Sequence, residues 1–367
     1  MRDRLRSIVT LGSCILVGAS LASGEDVAGP PAPKAAAESA HGDSGDDGWP
    51  DMSRFLDKAA GFVPIVHPIT EPAVGYGAAV GLLFVDRPKG EGAAGFARPN
   101  LTALGGALTE NGTWGGMVGD IRHWRHDRLK TTVALFDGGL NLDHYGIGNS
   151  PALQDVPLAY EWAPLGGRIG ADLRVRPKGN LWVGLSYTAA RNEITFKGPS
   201  DTDVGILETD RSLVNANLAP SVTYDSRDTI FTPSRGVYAS VSGSFYATFL
   251  GSDRDFQEGD ATAIGYVPLG SRLTFGLRGD GKASFGSVPF YLRPAVSLRG
   301  VTAMRYQGHY VAQAEGELRY QFWERFSLVG FGGAGTTWGG SERLDPQQTV
   351  GEGGGGLRYE LARRYKL

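Results

Sequence analysis

One cysteine, Cys14, occurs in the 367 residues, and it lies in a stretch expected to be cleaved away. No disulfide is then available to the mature chain, even in an oxidising compartment. After residue 24 no run approaches the ~18 continuous apolar residues that a membrane helix requires, so a helical membrane protein is excluded. The formal net charge is only -3, which indicates neither a nucleic-acid surface nor an acidic tail. His67, His123, His126, His144 and His309 are scattered over the chain. Of these only His123 and His126 lie close together. They straddle a turn beside Trp124, a setting for interfacial side chains rather than metal ligands. No glycine-rich stretch joins a strand to a helix, so a phosphate loop has no support. No Ser/His or Asp/His set converges on one rim. The chain is therefore expected to have no catalytic residues, metal or cofactor, and not to be an enzyme.

Two features of the first 60 residues are positive signals. Arg2, Arg4 and Arg6 precede a mostly apolar run over 8–21 that ends in small residues at Ala22, Ser23 and Gly24. This reads as a secretory signal over 1–24. Residues 25–60 are rich in Ala, Pro, Gly, Asp and Ser, and read as a disordered periplasmic linker with a short helix at 52–60. The folded part is then 61–367. Its glycine content belongs to a chain with 55 glycines, roughly double the usual share. These suit small lipid- or lumen-facing positions where strands must curve.

What the folded part has is alternation. Arg272, Thr274, Arg278, Asp280, Lys282 and Ser284 take one parity, and Leu273, Phe275, Leu277, Ala283 and Phe285 the other. From His309 the pattern returns. Gln313, Glu315, Glu317, Arg319 and Gln321 share one face, while Tyr310, Ala312, Ala314, Leu318, Tyr320 and Phe322 share its opposite. Soluble sandwich strands run about five or six residues. These runs are longer and begin and end in aromatics. Strands of roughly 9–11 residues, apolar outside and charged inside, are what a lipid-spanning barrel requires. The fold class expected is all-β, an antiparallel transmembrane β-barrel.

Fourteen candidate strands follow from the pattern, at 61–69, 73–85, 101–108, 114–124, 128–136, 165–175, 181–189, 213–224, 237–249 and 261–267, then from Arg272, from His309, and at 326–338 and 353–361. The first is weakened by Pro64 and Pro68, which cannot donate ladder hydrogen bonds. Glu110-Asn111-Gly112 is a strong hairpin signal. Short connections at 125–127, 177–180, 229–235, 268–271 and 323–325 fall on one side, and long loops at 138–157, 190–210, 286–307 and 339–350 on the other. That asymmetry is the rule for bacterial barrels. Only the connection at 87–99 is long for its side.

Two motifs add a resemblance. Tyr224-Asp225-Ser226-Arg227-Asp228 with Phe231-Thr232-Pro233-Ser234-Arg235-Gly236 is similar to the signature turn of the BamA/TamA-type outer-membrane barrels, the bacterial surface antigen family. Leu298-Arg299-Gly300-Val301, with Arg305-Tyr306-Gln307-Gly308 and Glu317-Leu318-Arg319-Tyr320, resembles that family's inward-folded loop and following strand. Residues 331–338 resemble its next strand, and 143–149 a loop of its short members. The resemblance covers about 60–361 and implies a sixteen-stranded barrel. This chain stops after its fourteenth strand, so either a last hairpin is missing, the reading favoured, or the barrel closes at fourteen. The periplasmic repeat domains (POTRA) of larger relatives have no counterpart here.

The resemblance implies that Arg299, beside Gly300, folds into the lumen and pairs with wall carboxylates, with Glu317 and Glu315 as partners. The second acid expected at the position of Gly333 is absent. Leaving such a guanidinium unpaired in a restricted lumen would cost about 3–5 kcal/mol. The plain alternative is a solvated loop arginine. Asp225, Arg227, Asp228, Pro233, Arg235 and Gly236 are expected to pin a periplasmic turn by short-range hydrogen bonds. The function implied is protein or lipid insertion or translocation at the outer membrane. Its partners would be outer-membrane lipid and lipopolysaccharide, with unfolded outer-membrane proteins or lipids as clients, and no nucleic acid. A passive diffusion pore is the first alternative, an outer-membrane hydrolase the second, and a soluble sandwich the third.

Overall fold

The structure is a computed structural model that describes residues 61–86, 100–146, 157–177, 179–197, 211–229, 232–339 and 348–360. The expected signal and linker (1–60) and the connection at 87–99 lie outside the described residues. Fourteen strands form one sheet in sequence order: β1 Gly61–Glu71, β2 Gly75–Asp86, β3 Asn100–Thr109, β4 Trp114–Trp124, β5 Leu129–His144, β6 Leu158–Arg174, β7 Leu181–Phe196, β8 Ser212–Asp225, β9 Gly236–Tyr246, β10 Phe256–Pro268, β11 Leu273–Gly286, β12 Tyr310–Gln321, β13 Phe326–Trp338 and β14 Gln348–Tyr359. Each strand runs antiparallel to its neighbours, so connections alternate between the two ends. No pairing joins β1 to β14 among the described residues, and the sheet is not closed.

Alternation accounts for the two faces. On β11 Leu277 is 52% exposed and Asp280 6%. The apolar row therefore looks out and the ionic row in, because the outer wall meets no protein while the inner side chains crowd one another. Val118, Leu135, Ile169, Leu185, Val241, Leu318 and Leu328 stand on the same outer surface. Trp114 and Trp124 are exposed at the two ends of β4. At a rise of ~3.3 Å per residue and a barrel-like tilt, their separation matches a hydrocarbon band of ~25 Å. Arg272, expected on the inner face, instead lies exposed in the turn before β11.

Several strands outrun their expected limits. β5, β6 and β7 have 16, 17 and 16 residues. β5 and β7 run on into the first third of what reads in sequence as the loops at 138–157 and 190–210, and β6 starts at Leu158 rather than 165. The reason is a reversal of chemistry without a change of fold. In these outer halves the inward residues are Leu140, Leu142, Tyr160, Trp162 and Ile194, all buried. A rule that sends apolar residues outward cannot recognise such a segment. The same applies to β10, which starts at Phe256 rather than 261, since Phe256 points inward and stacks on Tyr246 at 3.9 Å. The strand expected over 237–249 stops at Tyr246, and Thr248–Leu250 form a 3-10 turn.

β1 forms over eleven residues despite its two prolines, with Pro64 opposite Leu82 and Pro68 opposite Ala78. The connections 125–128, 226–235, 269–272 and 322–325 share one end, as expected from turn length. At the other end 72–74 and 110–113 are also short.

Candidate functional site

The long connection between β11 and β12 does not stay outside. It turns at Gly286 (φ +85°), makes a 3-10 turn at Phe290–Leu292, and descends between the walls. Phe290, Tyr291 and Leu292 are at most 2% exposed. Phe290 meets the rings of His144, Tyr160 and Phe196 at 4.9, 5.2 and 5.9 Å, and Tyr291 meets Trp162 at 5.6 Å. The Tyr291 hydroxyl accepts a hydrogen bond from Asn215 Nδ2 at 2.9 Å. The inward apolar halves of β5–β7 thus form a socket for this aromatic knuckle.

Below the knuckle the loop pairs with itself. Ala295 bridges Gln307, and Val296 N–H donates to Tyr306 O at 3.0 Å. Wall side chains satisfy this stem's backbone. Lys282 Nζ of β11 donates to Ala295 O at 3.2 Å, and within the loop Gln307 Nε2 donates to Phe290 O at 3.0 Å. Gln313 accepts from Ser297 N–H at 2.8 Å and donates to Ser297 O at 2.9 Å and to Asp280 Oδ2 at 3.0 Å. Farther on, Ala303 N–H donates to Glu71 Oε1 at 3.2 Å. The loop therefore spans from β12 to β1, which shows how far the open sheet has curled.

At the tip, Gly300 adopts φ +76° with nothing within 4 Å of a built Cβ, so conformation and not space calls for glycine. The turn projects Arg299 onto β12. Its Nη2 lies 2.7 Å from Glu315 Oε1 and 2.8 Å from Glu317 Oε2, and its guanidinium sits 4.4 Å above the Phe331 ring. The expected residues come together, but the expected energetics do not. Arg299's side chain is 43% exposed, so solvent screens both pairs to about 0.2–1 kcal/mol each. The cation–π contact adds about 0.5–1 kcal/mol. At position 333 a Cβ would lie 2.6 Å from Ala314 O, so an acid there would require the neighbouring backbone to shift.

A second constellation sits in the β8–β9 turn, at the end of the sheet where β12 finishes. Arg227 donates through Nε and Nη2 to both oxygens of Asp225, each at 2.8 Å, with both side chains buried. Its guanidinium also lies 4.7 Å from the Tyr238 ring. Burial opposes the charge on Arg227, but the Asp225 hydrogen bonds and charge outweigh it, and the guanidinium's pKa is raised above its ordinary value. Asp228 accepts from the backbone N–H of Thr229 (3.1 Å), Ser234 (2.9 Å) and Arg235 (3.3 Å), and from the Ser234 hydroxyl. Gly236 has φ +101°, and a Cβ there would fall 2.3 Å from Ser226 O. Pro233 is buried, and its carbonyl accepts from Arg319 Nη2 of β12 at 2.6 Å. That contact ties the turn to the strand carrying Glu315 and Glu317.

Sequence reasoning placed Arg319 in the row of the two glutamates but not its partner Pro233, and it missed two participants altogether. Arg358 of β14 reaches Glu317 Oε2 at 2.9 Å, and Glu352, also on β14, lies against Gly333. Their one signal was being the charged residues of a strand otherwise full of glycine. Among the described residues no group of three His, Cys, Asp or Glu side chains is arranged to hold a metal ion, and His123 instead lies 3.8 Å from Asp127.

A family model described as the Omp85 superfamily domain matches residues 140–362. Among solved structures, the chain is similar to BamA from Haemophilus ducreyi lacking POTRA domains 1–3, with TM-score 0.54 and 14% identity over 82% of this chain and 64% of that one. It is also similar to CdiB from Escherichia coli, with TM-score 0.53 and 11% identity over 81% of this chain and 55% of that one. For CdiB from Acinetobacter baumannii the values are 0.51 and 10%, over 83% and 60%. The chain thus spans less than two thirds of each of these proteins, and at such identities the likeness is one of fold. No curated protein matches it by sequence.

Proposed function

This chain belongs to the Omp85 superfamily, and from that premise we propose that it is an integral outer-membrane barrel that inserts or translocates protein or lipid clients. The observation carrying this reading is the loop folded into the lumen. An aromatic knuckle, a hydrogen-bonded stem and the Arg299 pairs hold the loop against the inner wall, where a diffusion pore would need a channel. Two edges support it. β1 and β14 each have one flank without a strand partner among the described residues, and an unpaired edge is a template for another strand. Pro64 and Pro68 further thin the donors of β1.

In this reading Arg299, Gly300, Glu315 and Glu317 lock the loop, and Asp225, Arg227, Asp228, Pro233, Arg235 and Gly236 hold the periplasmic turn. Export would use the signal over 1–24, and outer-membrane lipid and lipopolysaccharide would surround the apolar belt. The test is reconstitution of the full chain in liposomes with a urea-unfolded outer-membrane barrel as client. Faster client insertion than in empty liposomes is expected. Unchanged insertion together with a large steady current in planar bilayers would replace this reading with a passive pore.

A further inference from the structure

β14 is a weak strand by its own composition. Five of its residues, Gly351, Gly353, Gly354, Gly355 and Gly356, have no side chain. Cross-strand side-chain pairs stabilise a sheet, and glycine in a strand forfeits them. On its inner face two charged residues remain, Glu352 and Arg358, and both enter the cluster around Arg299.

The register places Glu315, Gly333 and Glu352 in one row across β12, β13 and β14, and Glu317, Phe331 and Gly354 in the next. Gly333 leaves a gap into which Glu352 leans. Its Oε1 comes within 3.0 Å of where a Cβ of residue 333 would lie, and Glu315 Cα is 3.1 Å from that same point. Two carboxylates of one row, on strands either side of β13, therefore face each other across a missing side chain. In the next row the Phe331 ring covers Gly354, 2.7 Å from a built Cβ, and carries the Arg299 guanidinium on its other side. Glu317 Oε2 accepts from Arg299 Nη2 at 2.8 Å and from Arg358 Nη2 at 2.9 Å.

The charged groups around this point are Arg299 from the loop, Glu315, Glu317 and Arg319 from β12, and Glu352 and Arg358 from β14. Tyr266 from β10 faces them as well. Arg319 is directed to Pro233 O, and Arg278, opposite Glu315, is taken by Asp280 at 2.8 Å. Arg299 is thus the loop cation beside this pair of carboxylates, bonded to Glu315 and to Glu317. Take it away and Glu315, Glu317 and Glu352 are left with Arg358, on a strand with little else to hold it, and with Arg319, which is already bonded to Pro233 O.

We propose that the lumen loop latches β14 to the sheet, with Arg299 neutralising the Glu315–Glu352 pair and Glu317 shared between the loop and Arg358. Withdrawal of the loop then loosens β14 by like-charge repulsion. Glu352 and Arg358 are positioning residues, acting on the strand through the loop arginine. The latch rests on the loop's geometry and not on client insertion, so failure of either reading leaves the other standing.

Hydrogen–deuterium exchange of the full chain in nanodiscs tests it. Arg299→Ala should speed exchange in β14 peptides roughly three- to tenfold, with β4–β5 peptides unchanged as the internal control. Adding Glu352→Gln to that variant should return β14 to within about twofold of wild type, which a merely structural role for Arg299 would not do. Arg299→Lys, which keeps the charge without the planar fork, guards against misfolding of the alanine variant and should fall between. Equal β14 exchange in wild type and both Arg299 variants overturns the latch. So does acceleration that Glu352→Gln leaves in place.

Discussion

The loop has two anchors, and the structure ranks them. Phe290 is buried among His144, Tyr160, Phe196 and Tyr291. Truncating such a ring to alanine costs about 3–5 kcal/mol, from lost burial and the cavity left behind. Arg299 is 43% exposed. Its two screened pairs and one ring contact together contribute about 1–3 kcal/mol. Taking about 4 against about 2 kcal/mol, Phe290→Ala should raise the population of released loop about a thousandfold and Arg299→Ala about thirtyfold. The alanine at 290 also frees the stem, whereas the alanine at 299 frees only the tip. Single-channel recording in planar bilayers reads this as open probability. The wild type should conduct little, Arg299→Ala should show brief openings, and Phe290→Ala should show long ones. Openings in Arg299→Ala equal to or longer than those in Phe290→Ala would refute the ranking, and with it the view that an apolar socket inside the barrel holds the loop.

Three further outcomes follow from the geometry. Arg227→Ala leaves Asp225 buried without its partner and should destabilise the barrel by about 3–5 kcal/mol, measured as a lower unfolding midpoint in heat-modified gel mobility. Gly236→Ala must place a methyl 2.3 Å from Ser226 O at positive φ. It should lower that midpoint by at least the ~1–3 kcal/mol of backbone strain, and Gly300→Ala, with open space around it, by less. Burial and the neighbouring Arg293 charge hold His309 below its ordinary pKa of 6.5, against the opposing hydrogen bond to Ser284 O. The folded state thus prefers the neutral ring. That contribution is fully present above pH 6.5 and is lost as pH falls through the lowered folded value. Thermal stability of the wild type should decline over that interval, and His309→Gln should flatten the decline; equal slopes would exclude His309 as the cause.

Most of the wall was legible because its signal is local. Alternate residues of a strand point to opposite faces, so Leu277 and Asp280 reveal their sides without knowledge of any other strand. Turn length likewise needs only neighbouring residues. The strand limits of β5, β6 and β7 were not legible, because Leu142, Tyr160 and Trp162 are apolar residues facing inward. Their side depends on Phe290 and Tyr291, which arrive from more than ninety positions later in the chain.

The candidate site divides in the same way. Arg299, Glu315, Glu317 and the Asp225–Gly236 turn were found from motifs and parity, since each motif is contiguous. Their partners were not. Arg319 meets Pro233 across 86 residues, and Arg358 meets Glu317 across 41. Strand register across β12, β13 and β14 brings Arg358 to Glu317, and the placing of the β8–β9 turn against β12 brings Pro233 to Arg319.

From the amino acids alone come the number of strands, their order of pairing by short turns, and a wall that is greasy on one side and ionic on the other. All of these are set by period-two chemistry within a dozen residues. Which inner stretches are apolar, how deep the loop sits, and why Glu352 lies beside Glu315 were decided only when the strands took their register. A register is a relation between strands, and no single strand carries it.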